Sequence, residues 1–426
     1  MNWKFAAAFV LGIGLTACQN PPVNTSNTTA VNTTVNTANT SAVNQSNTAS
    51  TPEMTKKAPP TDLQQLAQRI VGQSAGVKEG EIVLVSGSVR DMELLENIVT
   101  EVRKAGGHPM LEINSERMMK RSYTDVSEKY DTQEPKLGMA LAKIVNVTIN
   151  LDSSETEGLL ADVPPARLAA RAKAGAPVGT EFIKNKVRSV NVGNDLYPTE
   201  WRARRFETPM DSFARMFWDS VNIDYASLQM AGEQAQQTLL NGKEMEITHP
   251  NGTNLKLTLE NRPAYISDGI ISADDLAKGN LSVFLPAGEA AVIPAANSGE
   301  GKVVIEKQFF NGKEVNNLTL NFAGGKLTSM TGEGEGFAAL KADYDARAEG
   351  KEILSFVDLG INPNFKLAPN SKIGNWISAG MVTVGSGNNT WAGGTNNATG
   401  GVIGHLIGAT VKIDGKTIVE NGTLRL

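Results

Sequence analysis

Near Met230 the hydrophobic pattern of this 426-residue chain changes period, and that change bounds the folds open to it. Before it, helical stripes alternate with short apolar runs. Leu63, Leu66, Ile70 and Val71 fall on one side of a helix over 63–75. Ile82 to Val85 is a continuous apolar run closed by Ser86-Gly87-Ser88, as in a strand covered on both faces. Leu95, Ile98, Val99 and Val102 mark a helix over 92–105, stopped by Gly106-Gly107, and 110–113 reads as the next strand. Strand, helix and strand in that order imply a parallel pair joined by a right-handed crossover. Further strands at 144–151 and 189–192, with helices near 165–174 and 199–217, extend an open α/β layer domain.

After the change, short alternating segments recur at 245–248, 254–258, 290–293, 302–307, 317–322 and 410–413. Asn251-Gly252, Asn311-Gly312, Gly324-Gly325 and Asp414-Gly415 separate them as turns. One helix is expected near 337–348. The fold class is therefore α/β: an open parallel-sheet α/β domain over 61–235, followed by a β-rich α+β domain over 236–426 that carries the candidate metal site. The break falls between residues 225 and 245.

The N-terminus has a different character. Lys4 precedes an apolar run from Phe5 to Leu15, too short to span a bilayer, and the run ends in Leu15-Thr16-Ala17-Cys18. This is the pattern of a lipoprotein signal peptide, 1–17, cut before a cysteine that accepts the lipid. Cys18 is the only cysteine, so no disulfide can form within the chain. From Gln19 to about Pro60 the sequence is nearly all Asn, Thr, Ser, Ala, Val and Pro. Such a segment cannot bury enough apolar surface to offset its chain entropy, and it reads as a disordered stalk reaching roughly 35 Å. The expected location is the cell envelope, lipid-anchored, at an outer membrane where the cell has one, because Gln19 replaces the aspartate of inner-membrane retention.

The chain has a modest net charge of −5 and no interleaved basic and aromatic stripe, which argues against nucleic-acid binding. Arg202, Arg204 and Arg205 beside Trp201 are expected on a solvated helix face. No Walker loop, His-Glu-x-x-His or Gly-x-Ser-x-Gly elbow occurs, and there are only three histidines. His108 and His249 sit beside turn signals and read as loop residues. His405 follows a glycine-rich stretch that begins at Trp391, a setting for either close approach of a ligand or a buried, hydrogen-bonded ring. Glu289 and Asp358 each interrupt an apolar, strand-like run, where a carboxylate needs a cation or hydrogen bonds. Glu289, Asp358 and His405 together could form a metal set.

In this order the segments resemble the metallo-aminopeptidases related to aminopeptidase T, over residues 60–424. The markers are Tyr197-Pro198-Thr199, Asp224-Tyr225, Pro250 to Leu255, Leu285-Pro-Ala-Gly-Glu289, Asp358 to Pro363, Gly393-Gly394, His405 and Val411 to Lys416. The resemblance implies removal of N-terminal residues from peptides by two divalent metals held by five side chains, and a homodimer. Glu289 and His405 match ligand positions, and Asp358 matches one where glutamate is usual. Thr383 stands where the family has its first histidine, and Ile407 where it has an aspartate. The ligand set is incomplete, so the expectation is one divalent ion, zinc or similar, rather than two. Two functions follow: a membrane-anchored aminopeptidase-like metalloprotein, or a non-catalytic binding lipoprotein on the same fold. Either would take a peptide or small-molecule ligand.

Overall fold

The computed structural model describes residues 59–259, 262–368 and 371–426. The apolar leader, Cys18 and the segment through Ala58 lie outside them. In chain order the strands are β1 (Ile82–Ser88), β2 (His108–Asn114), β3 (Val147–Leu151), β4 (Arg188–Val192), β5 (Glu244–Thr248) and β6 (Asn254–Thr258). There follow β7 (Ala264–Ser267), β8 (Ser282–Leu285), β9 (Glu289–Val292), β10 (Glu300–Phe310), β11 (Lys313–Ala323) and β12 (Lys326–Glu333). The last are β13 (Leu354–Gly360), β14 (Val382–Ser386), β15 (Ile403–Leu406), β16 (Thr410–Ile413), β17 (Lys416–Glu420) and β18 (Thr423–Leu424).

They build three sheets. The first is parallel, in the order β2-β1-β3-β4-β8, and the helix Met92–Lys104 turns Leu94, Leu95, Ile98 and Val102 into its core. The second has eight antiparallel strands, β12-β11-β10-β6-β5-β16-β17-β18. The third is antiparallel, β15-β14-β13-β9-β7. The pattern changes where the helix Tyr225–Asn241 gives way to β5. Yet β8, from beyond the expected break, pairs with β4 in the first sheet. Its Val283 and Leu285 join the same buried cluster as Val190 and Val192, so the change of pattern is not a spatial boundary.

Two local expectations change. The single helix over 199–217 is two, Glu200–Arg205 and Met210–Val221, because Glu207 adopts φ 51° and Pro209 cannot continue the first. Of the arginine cluster, Arg204 is exposed as expected, but Arg202 and Arg205 are held by partners. Arg202 is 4% exposed, donating to Asp152 at 3.1 Å and to the Tyr197 carbonyl at 3.2 Å, while Arg205 pairs with Glu157. Both guanidiniums also lie over the Trp201 ring. Carboxylates contributed by the segment after β3 hold this cluster, a contact that local sequence does not encode.

A second ionic cluster ties the 3-10 turn Glu128–Tyr130 to the long helix Pro165–Lys184. Arg167 donates to Asp131 at 2.5 and 3.0 Å, and Arg171 donates to it at 2.6 Å. Hydrogen bonds from Arg167 hold the Asp131 carboxyl down at about 2. A carboxyl lowered by folding stabilises the fold above its unfolded value and loses that contribution as pH falls through the folded one. Stability should therefore decline between about pH 4 and pH 2. Asp131→Asn should be less stable at neutral pH and lose part of that slope, as read by urea unfolding across pH. An unchanged slope would remove Asp131 from the account.

Candidate functional site

The third sheet has two different faces. Ala290, Val292, Val357, Leu359, Val382, Val384 and Leu406 point one way, into the main core. The alternate residues point the other way, as the two-residue period of a strand requires. There the pairings align Tyr265, Ala291, Asp358, Thr383 and His405 as one row across all five strands. Glu289 lies in the next row, between Ser267 and Gly360. All three residues expected as metal ligands thus share one face of one sheet.

They do not meet as a ligand cluster. Neighbouring strands lie about 4.8 Å apart, so the backbones of Asp358 and His405, two strands apart, are separated by about 10 Å. Thr383 fills the place between them, and its hydroxyl is 2.9 Å from His405 Nδ1. The His405 ring also packs on Trp376, with centroids 5.7 Å apart. Ile407, one residue past β15, is half-buried. Among the described residues no group of three or more His, Cys, Asp or Glu is gathered where it could hold a metal ion. The donor chemistry agrees. Thr383, between Asp358 and His405, offers only a neutral hydroxyl, and a two-ion centre does not fit the donors on this face. His108 begins β2 and is exposed, and His249 accepts a hydrogen bond from the Asn251 N–H within its turn at 3.1 Å.

The two acidic motifs are tied to each other through backbone. After Leu285 the chain leaves the first sheet and enters the third at Glu289, four residues later. Asn362, fully buried, donates to the Ala287 carbonyl at 2.7 Å, and the Ile361 N–H donates to the Gly288 carbonyl at 2.8 Å. The strand bearing Asp358 therefore fixes the connection that presents Glu289.

A small pocket, with room for about one or two water molecules, lies where the two sheets meet. The first sheet contributes Ser282 and Phe284, the first and third residues of β8, and Asn194 follows two residues after β4. The third sheet contributes Tyr265, Ser267 and Glu289, and Trp391 completes the lining. Trp391 packs edge-on against Tyr265 and Phe356, with ring centroids 5.4 and 5.1 Å apart. Burial first, and the charge of Glu289 second, raise the Tyr265 hydroxyl, which stays protonated at neutral pH. Glu289 was legible in the sequence as a carboxylate inside an apolar run. Tyr265, Phe284 and Ser282 carried no such signal, because only the pairing of β7 with β9 and of β8 with β4 brings them to it.

A parallel α/β layer thus feeds an antiparallel face that bears two carboxylates and a histidine. The family described as Thermophilic metalloprotease (M29) matches residues 60–350, and the chain belongs to it. By family and fold it is an aminopeptidase-like protein, and divalent metal ions belong to the chemistry of that family. Wild-type AmpT from Thermus thermophilus superposes with a TM-score of 0.61 at 16% identity, covering 85% of this chain and 99% of that one. The 2,5-dihydroxypyridine dioxygenase of Pseudomonas putida KT2440 does so with a TM-score of 0.52 at 12% identity, covering 86% and 98%. At these identities the likeness is one of fold. A peptidase family and a dioxygenase share it, so function rests on the site. No curated protein matches the chain in sequence.

Proposed function

We propose that this protein is a membrane-anchored binding lipoprotein on the aminopeptidase fold, which has kept the cleft between the sheets and given up the two-metal centre. The observation that carries the reading is the row Asp358-Thr383-His405, in which a neutral threonine hydroxyl stands between the two candidate ligands, 2.9 Å from His405 Nδ1. Anchoring rests on Leu15-Thr16-Ala17-Cys18, since no helix among the described residues is long and apolar enough to cross a membrane. Two or more acyl chains on Cys18 would hold the protein at a membrane surface.

A second reading, hydrolysis of N-terminal residues with one divalent ion, draws on Glu289, Asp358 and His405 sharing a face. Metal analysis by mass spectrometry on the wild type and His405→Ala separates the two. The binding reading expects no zinc-like ion in either protein after reconstitution, and no release of N-terminal residues from peptides. About one ion per chain, lost in His405→Ala, would overturn it in favour of the one-ion peptidase. Cys18→Ser should move the protein from the membrane to the soluble fraction, and an unchanged distribution would remove the anchor.

A further inference from the structure

The first sheet ends at one side on β2, which pairs with β1 and with no other strand among the described residues. The His108 N–H donates inward to the Glu81 carbonyl, so the alternate residues Pro109, Leu111 and Ile113 turn their backbone groups to the open edge. Nine of the fourteen large apolar side chains exposed among the described residues fall between Val89 and Ile144, in β2 and the elements beside it. Met110 is 42% exposed and Leu111 36%, an apolar load that an unpaired strand edge ordinarily avoids. Met110 stands level with Leu84, on the face that the helix Lys136–Leu141 packs against, and Leu137 of that helix is open too. Glu112 shares this face, and its Oε2 is buried without a hydrogen-bond partner among the described residues. Burial alone raises its carboxyl. His108, two residues before Met110, is exposed.

We propose that the free edge of β2 pairs antiparallel with β2 of a second copy, centred on Met110, so that His108 of each protomer meets Glu112 of the other. The reason is the symmetry of the row. In a two-fold pair the residue two before the centre faces the residue two after it, and here those are an imidazole and a carboxylate that lacks a donor. Opposed residues in this row are the closely spaced kind, with Cα atoms about 4.5 Å apart, so both ion pairs and the Met110 contact form across the ladder. In the alternate row the Leu111 N–H of each protomer donates to the Pro109 carbonyl of the other. Pro109 has no N–H, which removes one donor from the edge and leaves its carbonyl to accept. Moving the centre to Leu111 would set Glu112 against Met110 and bury the carboxylate with no donor, so the charges fix the register. A foreign strand would have to supply the same order of donor and apolar group, whereas a second copy carries it already. No residue of the cleft takes part, so the proposal stands apart from the binding reading.

The test is sedimentation equilibrium of the full chain carrying Cys18→Ser, which leaves no native thiol. One added strand pair is a small interface, so a monomer–dimer equilibrium with a dissociation constant on the order of micromolar is expected. His108→Glu sets carboxylates opposite each other at both ends and should weaken association at least about tenfold. The melting temperature of the monomer should not change, because His108 is exposed. Adding Glu112→Lys restores opposite charges and should recover the dimer. Met110→Cys should cross-link on mild oxidation faster than Leu111→Cys, because only residue 110 faces its own copy. Should Glu112→Lys not fold, His108→Glu and the cysteine variants carry the test. A monomer at every concentration, a dimer indifferent to His108→Glu, or faster cross-linking of Leu111→Cys would overturn the proposal.

Discussion

Alanine at Gly288 is expected to lower the free energy of unfolding by about 3 kcal/mol and to unseat Glu289. Gly288 has φ +133°, a region that side chains with a Cβ rarely adopt. A Cβ there would stand 2.6 Å from Asn362 Cβ and 2.9 Å from the Asn362 backbone nitrogen. Neither neighbour can swing away, because Asn362 is fully buried and pinned by its bonds to the Ala287 and Ser220 carbonyls. Gly324→Ala supplies the control. Its φ is +55° and nothing lies within 4 Å of the added methyl, so its cost should be about 1 kcal/mol. Urea unfolding of the two variants decides it. Similar losses would mean that the contact between the two acidic motifs does not position Glu289.

The second large effect is a gain. Thr383→His combined with Ile407→Asp should raise divalent-metal binding to micromolar concentration or tighter. The reason is register. Thr383 lies directly between Asp358 and His405 on one face, so an imidazole there bridges the gap of about 10 Å that separates them. The second substitution supplies an anionic oxygen one residue past β15. Thr383 is 1% exposed, so the larger ring must displace neighbours, and the single Thr383→His variant reports that cost separately. Metal content by mass spectrometry and a zinc-dependent rise in melting temperature are the readouts. A double variant that folds yet takes up no metal would show that the face has changed in shape as well as in ligands.

Much of the architecture is legible in periodicity, and the exceptions have identifiable causes. The strand at 82–88 announces itself because Ile82 to Val85 is continuously apolar, as a parallel strand covered on both faces tends to be. The helix Tyr225–Asn241 does not. Its buried residues Leu228, Gly232, Ala235 and Leu239 include two with little or no side chain, so its apolar stripe is faint. Gly232 there lies close to Ile266 and Ile361, a packing need invisible in one dimension. The short β8 is silent for another reason, since four residues have no period to read and only pairing with β4 makes them a strand. At the site, Glu289, Asp358 and His405 stand out as polar residues in apolar or glycine-rich runs. Their separation by Thr383 depends on the registers of three strands, which the sequence does not print. Ser282 and Phe284 gain their meaning only from what lies opposite.

The return of β8 to the first sheet bears on how the molecule can move. The chain places β7 in the third sheet, crosses to the first for β8, and crosses back for β9. Two crossings within about 25 residues stitch the layers together at the wall of the cleft. Swinging one layer away from the other would break the β4–β8 ladder and draw Gly288 off Asn362. Hinged closure around a ligand, common where two domains share a single linker, is therefore denied to this molecule. Entry and exit are left to the lining on the far side, where Trp391 is carried by a short 3-10 turn rather than by a sheet. The rate of ligand exchange is then a property of that turn, and the affinity a property of the stitched wall.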